Sequence, residues 1–397
     1  MSGQRDDYGN EVADCVTAAF APSMQKTLEE EEVRDPRLTH SRLRCARKCM
    51  RLHYWLYECG LRPVREASPL RIGSAYHRGL ELMATMERDE AIAAACAPYD
   101  EGPPAGSDEE FAASWWVERA TVACLLAGHH WRWDEADETE PTISTETVFD
   151  IPLVNPVTGR PSRTWRLCGR RDAIIGTDND RLLIREYKTT SNEIDISTPA
   201  GEVFWTRLRM DSQVSTYWIA ALAEGMDVQG VIYDVTRKPA ISPRQIPLLD
   251  ADGLKIVLDE VTGERATNKN GTPRQSAGPG LKMQTRVETP EEFGERLWAD
   301  IVERPDHYFA RREIPRLDAD LQEAGVDMWR MASILRQAQL EARTMGKTAW
   351  PRNTDSCMTF GRCPCWNLCT GGYTHGIDPL PEGWRVVEDV HPELEED

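Results

Sequence analysis

The stretch GRRDAIIGTDNDRLLIREYKTTS, residues 169–191, predicts a β-hairpin with ionisable side chains along one face. A turn at Thr177–Asp180 separates two strand-like runs. Because successive side chains of a strand point to opposite faces, Glu186 and Lys188 project from the same face. With antiparallel pairing, Asp172 lies across the ladder on that face. The hairpin is therefore expected to bring two carboxylates and a lysine together at a sheet edge.

Two carboxylates beside a lysine suit catalysis at a phosphodiester. Carboxylate oxygens are preferred ligands of hard divalent cations such as Mg²⁺ and Mn²⁺. Such a cation lowers the pKa of bound water and neutralises developing charge, while a lysine orients the water or stabilises the transition state. The competing interpretation is a cross-strand salt bridge made by Lys188, which is common for a short Asp…Glu-x-Lys pattern. The catalytic candidates are thus Asp172, Glu186 and Lys188.

Two predicted helices carry further polar side chains of interest. In GSAYHRGLE, His77 and Glu81 are four residues apart on one helix face, and the histidine can add a nitrogen ligand to the metal. In QVSTYW, Gln213 and Tyr217 have the same spacing, and an amide and a phenol can contact DNA. Each pair also fits an ordinary polar surface or a packed helix face.

Apolar periodicity predicts a mixed α/β chain. The predicted helices span residues 39–57, 72–88, 110–130, 207–224, 289–303 and 318–345. The predicted strands span residues 143–153, 164–175, 181–188 and 228–236. Residues 262–280 are rich in Gly, Pro and Asn, which favours a flexible insertion or lid loop.

The order of these motifs resembles that of PD-(D/E)XK nucleases, and more narrowly the RecB-like exonuclease branch with an iron–sulphur cluster. The matching motifs are GxxxH at 73–77, GRRD at 169–172, EYK at 186–188 and QxxxY at 213–217. Arg171 replaces the proline of many such nucleases, but the RecB-like branch often has Gly-x-x-Asp here. The resemblance implies a restriction-endonuclease-like mixed sheet flanked by helices, with helical insertions.

The resemblance also implies roles for individual residues. The metal ligands would be His77, Asp172, Glu186 and the backbone carbonyl of Tyr187, and Lys188 would be the catalytic lysine. The implied activity is a metal-dependent DNA exonuclease that acts on single-stranded ends in recombination, repair or phage DNA processing. One alternative is a CRISPR-adaptation nuclease that trims spacer precursors, and another is a non-catalytic, metal-stapled DNA-binding protein. DNA is the expected partner, a helicase or a CRISPR-adaptation protein is a further candidate, and the oligomeric state stays open.

Four of the eleven cysteines lie within CMTFGRCPCWNLC, residues 357–369. The spacing leaves zinc, a disulfide knot and an iron–sulphur cluster as candidates. Structural zinc sites usually combine paired C-x₂₋₄-C hooks, which this stretch lacks. Disulfides are rare in the reducing cytosol.

In the iron–sulphur nucleases that the chain resembles, three cluster ligands follow the nuclease core and one lies far upstream. CPCWNLC resembles the downstream signature, and CMRLHYWLYECGLRP resembles the upstream segment. The implied 4Fe-4S ligands are Cys49, Cys357, Cys363 and Cys369. Cys45 is the alternative to Cys49, and Cys365 stands where relatives carry an aromatic residue. Such a cluster would form a C-terminal iron–sulphur clasp.

The chain has a net charge of −19, from 47 basic and 66 acidic residues. This charge argues against a protein that coats nucleic acid without specificity. From Arg42 to Arg78, however, nine basic residues face two acidic ones, an excess able to steer DNA locally. No apolar run approaches the ~20 residues that span a bilayer, and the polar first residues predict a cytoplasmic protein without membrane contact.

These features predict seven consecutive segments along the chain. They are a polar N-terminal tail (1–36), a cluster-ligand helix (37–66), a helical region with the metal-site histidine (67–140), the nuclease core (141–240), an insertion loop and helices (241–349), the iron–sulphur cysteine segment (350–375) and an acidic tail (376–397).

Overall fold

A six-stranded mixed sheet lies at the centre of the computed structural model, which describes residues 35–359 and 361–394. The strands are, in chain order, β1 (Arg37–Leu38), β2 (Leu61–Pro63), β3 (Thr142–Val154), β4 (Pro161–Gly176), β5 (Leu182–Thr190), β6 (Val228–Arg237), β7 (Gln245–Pro247), β8 (Val257–Asp259), β9 (Leu281–Met283), β10 (Thr285–Val287), β11 (Phe309–Ile314) and β12 (Trp384–Val386). The central sheet contains β1, β3, β4, β5, β6 and β11.

Helices flank this sheet, which confirms the predicted mixed α/β architecture. The α-helices of the described residues are α1 (His40–Lys48), α2 (Met50–His53), α3 (Ser68–Met83), α4 (Arg88–Asp100), α5 (Glu109–Thr139), α6 (Pro199–Leu208), α7 (Ser212–Ala223), α8 (Pro290–Glu303), α9 (Pro305–Tyr308), α10 (Asp318–Met345) and α11 (Trp366–Thr370). A π-helical turn at Tyr54–Glu58 continues α2.

The predicted hairpin forms, but inside the sheet rather than at its edge. Strands β4 and β5 pair antiparallel from Ala173 opposite Arg185 to Gly176 opposite Leu182. On its other side β5 pairs parallel with β6, which in turn pairs antiparallel with β11. The expected sheet-edge position is therefore wrong, because a hairpin pattern does not show which strand joins its free side.

Two predicted helices are interrupted in the structure. Thr39 caps α1, accepting a hydrogen bond from the Arg42 amide at 3.1 Å. The helix then breaks at Cys49, which is extended with a φ of −166°. The helix predicted over 207–224 is two helices, α6 and α7, joined by a short turn. Helix α4 is not predicted, because Pro98 and the loop-forming residues after it indicate a turn.

Distant parts of the chain meet beside α2. Strand β2 pairs antiparallel with β12, so that Leu61 lies opposite Val386. Arg37 of β1 forms a bidentate ion pair with Asp389, with N–O distances of 3.1 and 3.0 Å. The segment after α10 thus packs against the segment around α2.

The expected insertion loop, residues 262–280, lies between β8 and β9 and contains only isolated β-bridges, such as Thr267 opposite Pro273. Strands β7 and β10 form one antiparallel ladder, and β8 and β9 form another. At the end of β8, the Asp259 carboxylate accepts hydrogen bonds from the amides of Val261 and Thr262, at 2.9 and 3.0 Å. The turn-forming residues that suggested a loop therefore build tight turns between short strands.

A buried ionic network joins α5 to the central sheet. The Asp234 carboxylate accepts a hydrogen bond from Arg311 Nε at 2.6 Å and lies 2.9 Å from His129 Nε2. Burial raises the pKa of Asp234, but His129 and Arg311 outweigh it and hold this pKa below its usual value. The ring of His129 also packs edge-on against the ring of Tyr187 on β5.

Replacing Asp234 with asparagine is expected to lower the free energy of unfolding by about 3 kcal/mol, because it removes the buried charge that Arg311 Nε pairs with. Since the folded-state pKa is depressed, this stabilisation is present at neutral pH and is lost as the pH falls through that pKa. Urea unfolding at neutral pH measures the loss, with the exposed Asp227→Asn as the control. Equal unfolding midpoints for both variants would contradict the role of the network.

Candidate active site

The site lies where the pairing of β4 and β5 ends. Ala173 opposite Arg185 is the last paired position of the two strands. Beyond it, the backbone amide of Tyr187 donates a hydrogen bond to the Asp172 carboxylate at 2.7 Å. A side chain of β4 thus replaces its backbone as the partner of β5. This arrangement places Asp172 beside Glu186.

A cavity of about 570 Å³ opens at this point, hereafter the active-site cavity. It contains most of the residues predicted from the sequence, namely His77, Asp172, Glu186, Tyr187, Lys188 and Gln213. Tyr217 lies in an adjoining cavity of about 430 Å³, together with His77, Asp172 and Gln213. The structure therefore brings together residues from α3, β4, β5 and α7.

Glu186 is almost fully buried, with 1% of its surface exposed. Its Oε1 accepts a hydrogen bond from Lys188 Nζ at 3.1 Å. Its Oε2 is buried and has no hydrogen-bond partner within the described residues. Burial, and then the charge of Asp172, raise the pKa of Glu186 well above its usual value. An unpartnered carboxylate oxygen in this position is costly unless a cation or a proton meets it.

Lys188 is held by three side chains at once. Its Nζ donates to Glu186 Oε1 and to Gln213 Oε1, the latter at 3.0 Å, and pairs with Asp211 Oδ2 at 3.0 Å. Burial lowers the pKa of Lys188, but Glu186 and Asp211 raise it further than burial lowers it. The lysine is therefore a fixed cation, suited to orienting an anionic or polar group rather than to accepting a proton.

Asp211 is a site residue that the sequence pattern does not single out. It caps α7, and its Oδ1 accepts a hydrogen bond from the Gln213 amide at 3.0 Å. The helix predicted over 207–224 runs through it, so its capping position is hidden. The Asp-Ser-Gln start of α7 is the signal that identifies it.

Glu146 is a second acidic residue that the sequence pattern does not reveal. It lies on β3 between the partners of Ala173 and Arg171, and so stands opposite Asp172. Its φ of +45° is in the left-handed region, which is strained for a residue other than glycine. An irregularity in β3, between Thr142 and Ser144, precedes it. Its strained backbone holds this carboxylate beside the adjoining cavity.

Asp172 and Glu146 both have raised pKa values. Burial, and then the charge of Glu146, raise the pKa of Asp172 to about 7. Burial, and then the charge of Glu81, raise the pKa of Glu146 to about 7, while Arg170 opposes the rise.

His77 lies on α3 at the wall of the active-site cavity, with its ring edge-on to that of Tyr187. Burial, and then the charges of Lys188 and Lys238, lower the pKa of His77 to about 4. At neutral pH the imidazole is uncharged and keeps a lone pair for a metal ligand. Glu81, predicted on the same helix face, is paired with Arg78 at 2.6 Å.

Gln213 and Tyr217 form a row behind Lys188. Gln213 Nε2 donates a hydrogen bond to the Tyr217 hydroxyl at 3.0 Å, while its Oε1 accepts from Lys188. Tyr217 is 7% exposed and packs against Phe149. Their contact with DNA stays a prediction. In the structure, Gln213 holds Lys188 directly, and Tyr217 in turn holds Gln213.

Most of the basic residues between Arg42 and Arg78 are engaged inside the protein. Arg51, for example, donates to the Trp350 carbonyl at 2.9 Å, and Arg71 pairs with Glu118 at 2.7 Å. Arg44 is an exception, because it is exposed and lines the active-site cavity. The local charge excess therefore contributes mainly to internal contacts.

The cysteine segment converges on α2. Trp55 Nε1 donates a hydrogen bond to Cys369 Sγ at 3.3 Å, and the Asn353 amide donates to Cys49 Sγ at 3.4 Å. Burial raises the pKa of the Cys363 thiol, and the nearby thiols add to the rise. These neighbours are Cys357, Cys369 and Cys49.

Two further thiols, Cys365 and Cys45, lie in this cluster. Cys365 is fully buried, and burial raises its pKa first, with Cys363 adding to the rise. Burial raises the pKa of Cys45 to about 12.

Within the described residues, the candidate metal ligands do not surround a single point. Across residues 35–359 and 361–394, no three His, Cys, Asp or Glu side chains are arranged so that they could hold one metal ion. In the active-site cavity, protein donors already engage Glu186 Oε1 and Asp172 Oδ2. The chemistry of the set nevertheless fits a hard cation, since two carboxylates and an uncharged imidazole line one cavity.

The sequence-family model that describes the PD-(D/E)XK nuclease superfamily matches residues 37–370 of the chain. This range includes His77, Asp172, Glu186 and Lys188, as well as the cysteine segment up to Cys369. A search of curated proteins finds no match. None of the helices in the described residues is long and apolar enough to cross a membrane.

Proposed function

The chain belongs to the PD-(D/E)XK nuclease superfamily, and from this premise we propose that it is a divalent-metal-dependent DNA exonuclease of the RecB-like branch. The observation that carries the proposal is the buried, unpartnered Glu186 oxygen in one cavity with Asp172 and the fixed cation Lys188. A single salt bridge would serve the fold at a lower desolvation cost than a buried acidic pair beside one cation. The arrangement therefore indicates a functional site.

The proposed metal is Mg²⁺ or Mn²⁺, held by His77, Asp172, Glu186 and the Tyr187 carbonyl. When bound, the ion supplies charge neutralisation and an activated water. Lys188 orients the attacking water or the phosphate, and Asp211 and Gln213 keep its ammonium group in place. Asp172 also fixes the backbone of β5 through the Tyr187 amide.

Single-stranded DNA ends are the proposed substrate, possessing unpaired nucleotides that fit a narrow site. The active-site cavity of about 570 Å³ has the size of a small-ligand site rather than of a groove for a duplex. Arg44 and Arg207 line it and supply positive charge for phosphates.

We also propose that a 4Fe-4S cluster binds Cys49, Cys357, Cys363 and Cys369. These thiols are half-buried and converge on one place, and two of their sulphurs accept hydrogen bonds, as cluster ligands often do. In such a cluster each thiolate binds its own iron, so the four sulphurs need not meet around one ion. The cluster would link the segment after α10 to the start of α2 through its iron–thiolate bonds.

The affinity for metal is expected to fall as the pH decreases from about 8 to about 6. Each proton that must leave before the metal binds lowers this affinity by up to about tenfold per pH unit. The metal requires ionised carboxylates, and Asp172 and Glu146, with pKa values of about 7, take up protons in this window. Calorimetric Mn²⁺ titration at several pH values measures the effect. In Glu146→Gln the decline should move to lower pH, because Asp172 loses its acidic neighbour. A flat affinity across the window would contradict this prediction.

The direct test of function is anaerobic purification followed by cleavage of end-labelled oligonucleotides with Mg²⁺ or Mn²⁺. We expect stepwise shortening of linear single strands, little cleavage of circular single strands, and no cleavage with EDTA. Equal cleavage of circular and linear strands would replace the exonuclease proposal with an endonuclease. An absence of cleavage with either metal would remove the proposed function.

A further inference from the structure

The turn between α6 and α7 carries an exposed methionine at the rim of the active-site cavity. Met210 is 82% exposed and lines this cavity. The other purely apolar side chains of the lining, Phe204 and Leu208, are buried, with 8% and 7% of their surface exposed. An exposed apolar side chain on an otherwise polar rim is a candidate contact for an apolar surface of the substrate.

The turn that carries Met210 is fixed in place by an arginine. The guanidinium of Arg316 donates hydrogen bonds to the carbonyls of Leu208 and Asp211, at 3.0 and 2.7 Å, and also to that of Arg209. These carbonyls lie at and just beyond the C-terminus of α6, where backbone acceptors lack helical partners. Three hydrogen bonds from one side chain hold the turn, so Met210 projects from a defined backbone.

The same turn is tied to the catalytic candidates. Asp211, the residue after Met210, pairs with Lys188 at 3.0 Å. The backbone that carries Met210 is therefore tied, through its neighbour Asp211, to the lysine proposed to act at the phosphate. Arg207, one turn of helix earlier, lines the cavity as well. A strand whose phosphate meets Lys188 would have its neighbouring nucleobase near Met210.

We propose that Met210 is a wedge that packs against the nucleobase next to the scissile phosphate and favours unpaired ends. The inference rests on the proposed nuclease function and names its specificity determinant. Methionine is flexible and polarisable, and apolar side chains of this kind pack against or between unstacked bases. Bases of a single strand unstack more easily than paired bases, so an unpaired end offers a face to this side chain at lower cost.

The test measures binding of single-stranded oligonucleotides by fluorescence anisotropy, in an Asp172→Asn background that prevents cleavage. Met210→Ala should weaken binding by about threefold to tenfold, on the scale of one lost base contact. Met210→Leu, which keeps an apolar side chain of similar size, should stay within about twofold of the parent. With oligonucleotides abasic at the terminal positions, Met210→Ala should bind as the parent does.

Two results would overturn the wedge, namely unchanged binding by Met210→Ala or an equal loss on abasic and natural strands. Cleavage by the otherwise unmodified chain is assayed in parallel with end-labelled strands and Mn²⁺. Absent cleavage would remove the proposed function itself. Metal-dependent cleavage together with either overturning result would remove only the wedge.

Discussion

Lys188→Ala and Asp172→Asn are each expected to reduce metal-dependent DNA cleavage by about a thousandfold. Lys188 is the fixed cation of the active-site cavity, and its removal takes away the group that orients water or phosphate. Asp172 is a proposed metal ligand, and asparagine in its place lacks the charge that a divalent ion needs. End-labelled single strands with Mn²⁺ measure both losses. Asp178→Asn, in the exposed turn of the same hairpin, is the matched control and should keep full activity.

The two variants should differ in stability, which separates a catalytic from a structural role. Because the folded-state pKa of Asp172 is raised to about 7, the metal-free fold loses stability as the pH rises from the unfolded-state pKa of about 4, and this loss is complete above about pH 7. Asparagine removes this charge and keeps an acceptor for the Tyr187 amide, so the melting temperature should stay equal or rise. Lys188→Ala leaves Glu186 and Asp211 without their cation, so it should melt lower. Undiminished cleavage in both variants would refute the assignment.

Cys49→Ala is expected to abolish the visible absorption of an iron–sulphur cluster, whereas Cys365→Ala should retain it. Cys49 lies at the break between α1 and α2, where its sulphur accepts a hydrogen bond from the Asn353 amide. Cys365 is fully buried, and alanine there costs only packing, of about 1 kcal/mol. Absorption spectra and iron content after anaerobic purification measure the difference.

A comparison of Cys45→Ala with Cys49→Ala discriminates between the two candidates for the upstream cluster ligand. Cys45→Ala should keep the colour if Cys49 is the upstream ligand. Bleaching by Cys45→Ala, with colour retained in Cys49→Ala, would show that Cys45 is that ligand. A colourless protein that contains zinc would overturn the cluster itself, even if it cut DNA.

Local pattern predicts the part of the site that lies on one hairpin. Alternation along β5 places Glu186 and Lys188 on one face, and antiparallel pairing brings Asp172 near them. Both depend on neighbours in sequence and on turn geometry, which short stretches encode. His77 and Gln213 come from helices, and their motif order predicted their presence in the same cavity.

Other parts depend on contacts that no local pattern encodes. Glu146 reaches the site through an irregular strand and a left-handed backbone, which alternation alone would not predict. Asp211 is hidden by an apparently continuous helix. The interior position of β5 depends on β6, a strand that follows two helices later. Part of the basic excess after Arg42, including Arg51 and Arg71, is taken up by carbonyl and acidic partners far away in the sequence.

The pairing of β2 with β12 has a consequence for biosynthesis. Leu61 finds its partner Val386 only when more than three hundred further residues have been translated. During synthesis, β2 and the thiols around α2 are therefore exposed to solvent while the residues of the central sheet are still being translated. Contacts between residues so distant in sequence form slowly, and their unpaired partners are open to aggregation or oxidation meanwhile. Completion of this corner, including delivery of any iron, is thus a late event that follows folding of the sheet.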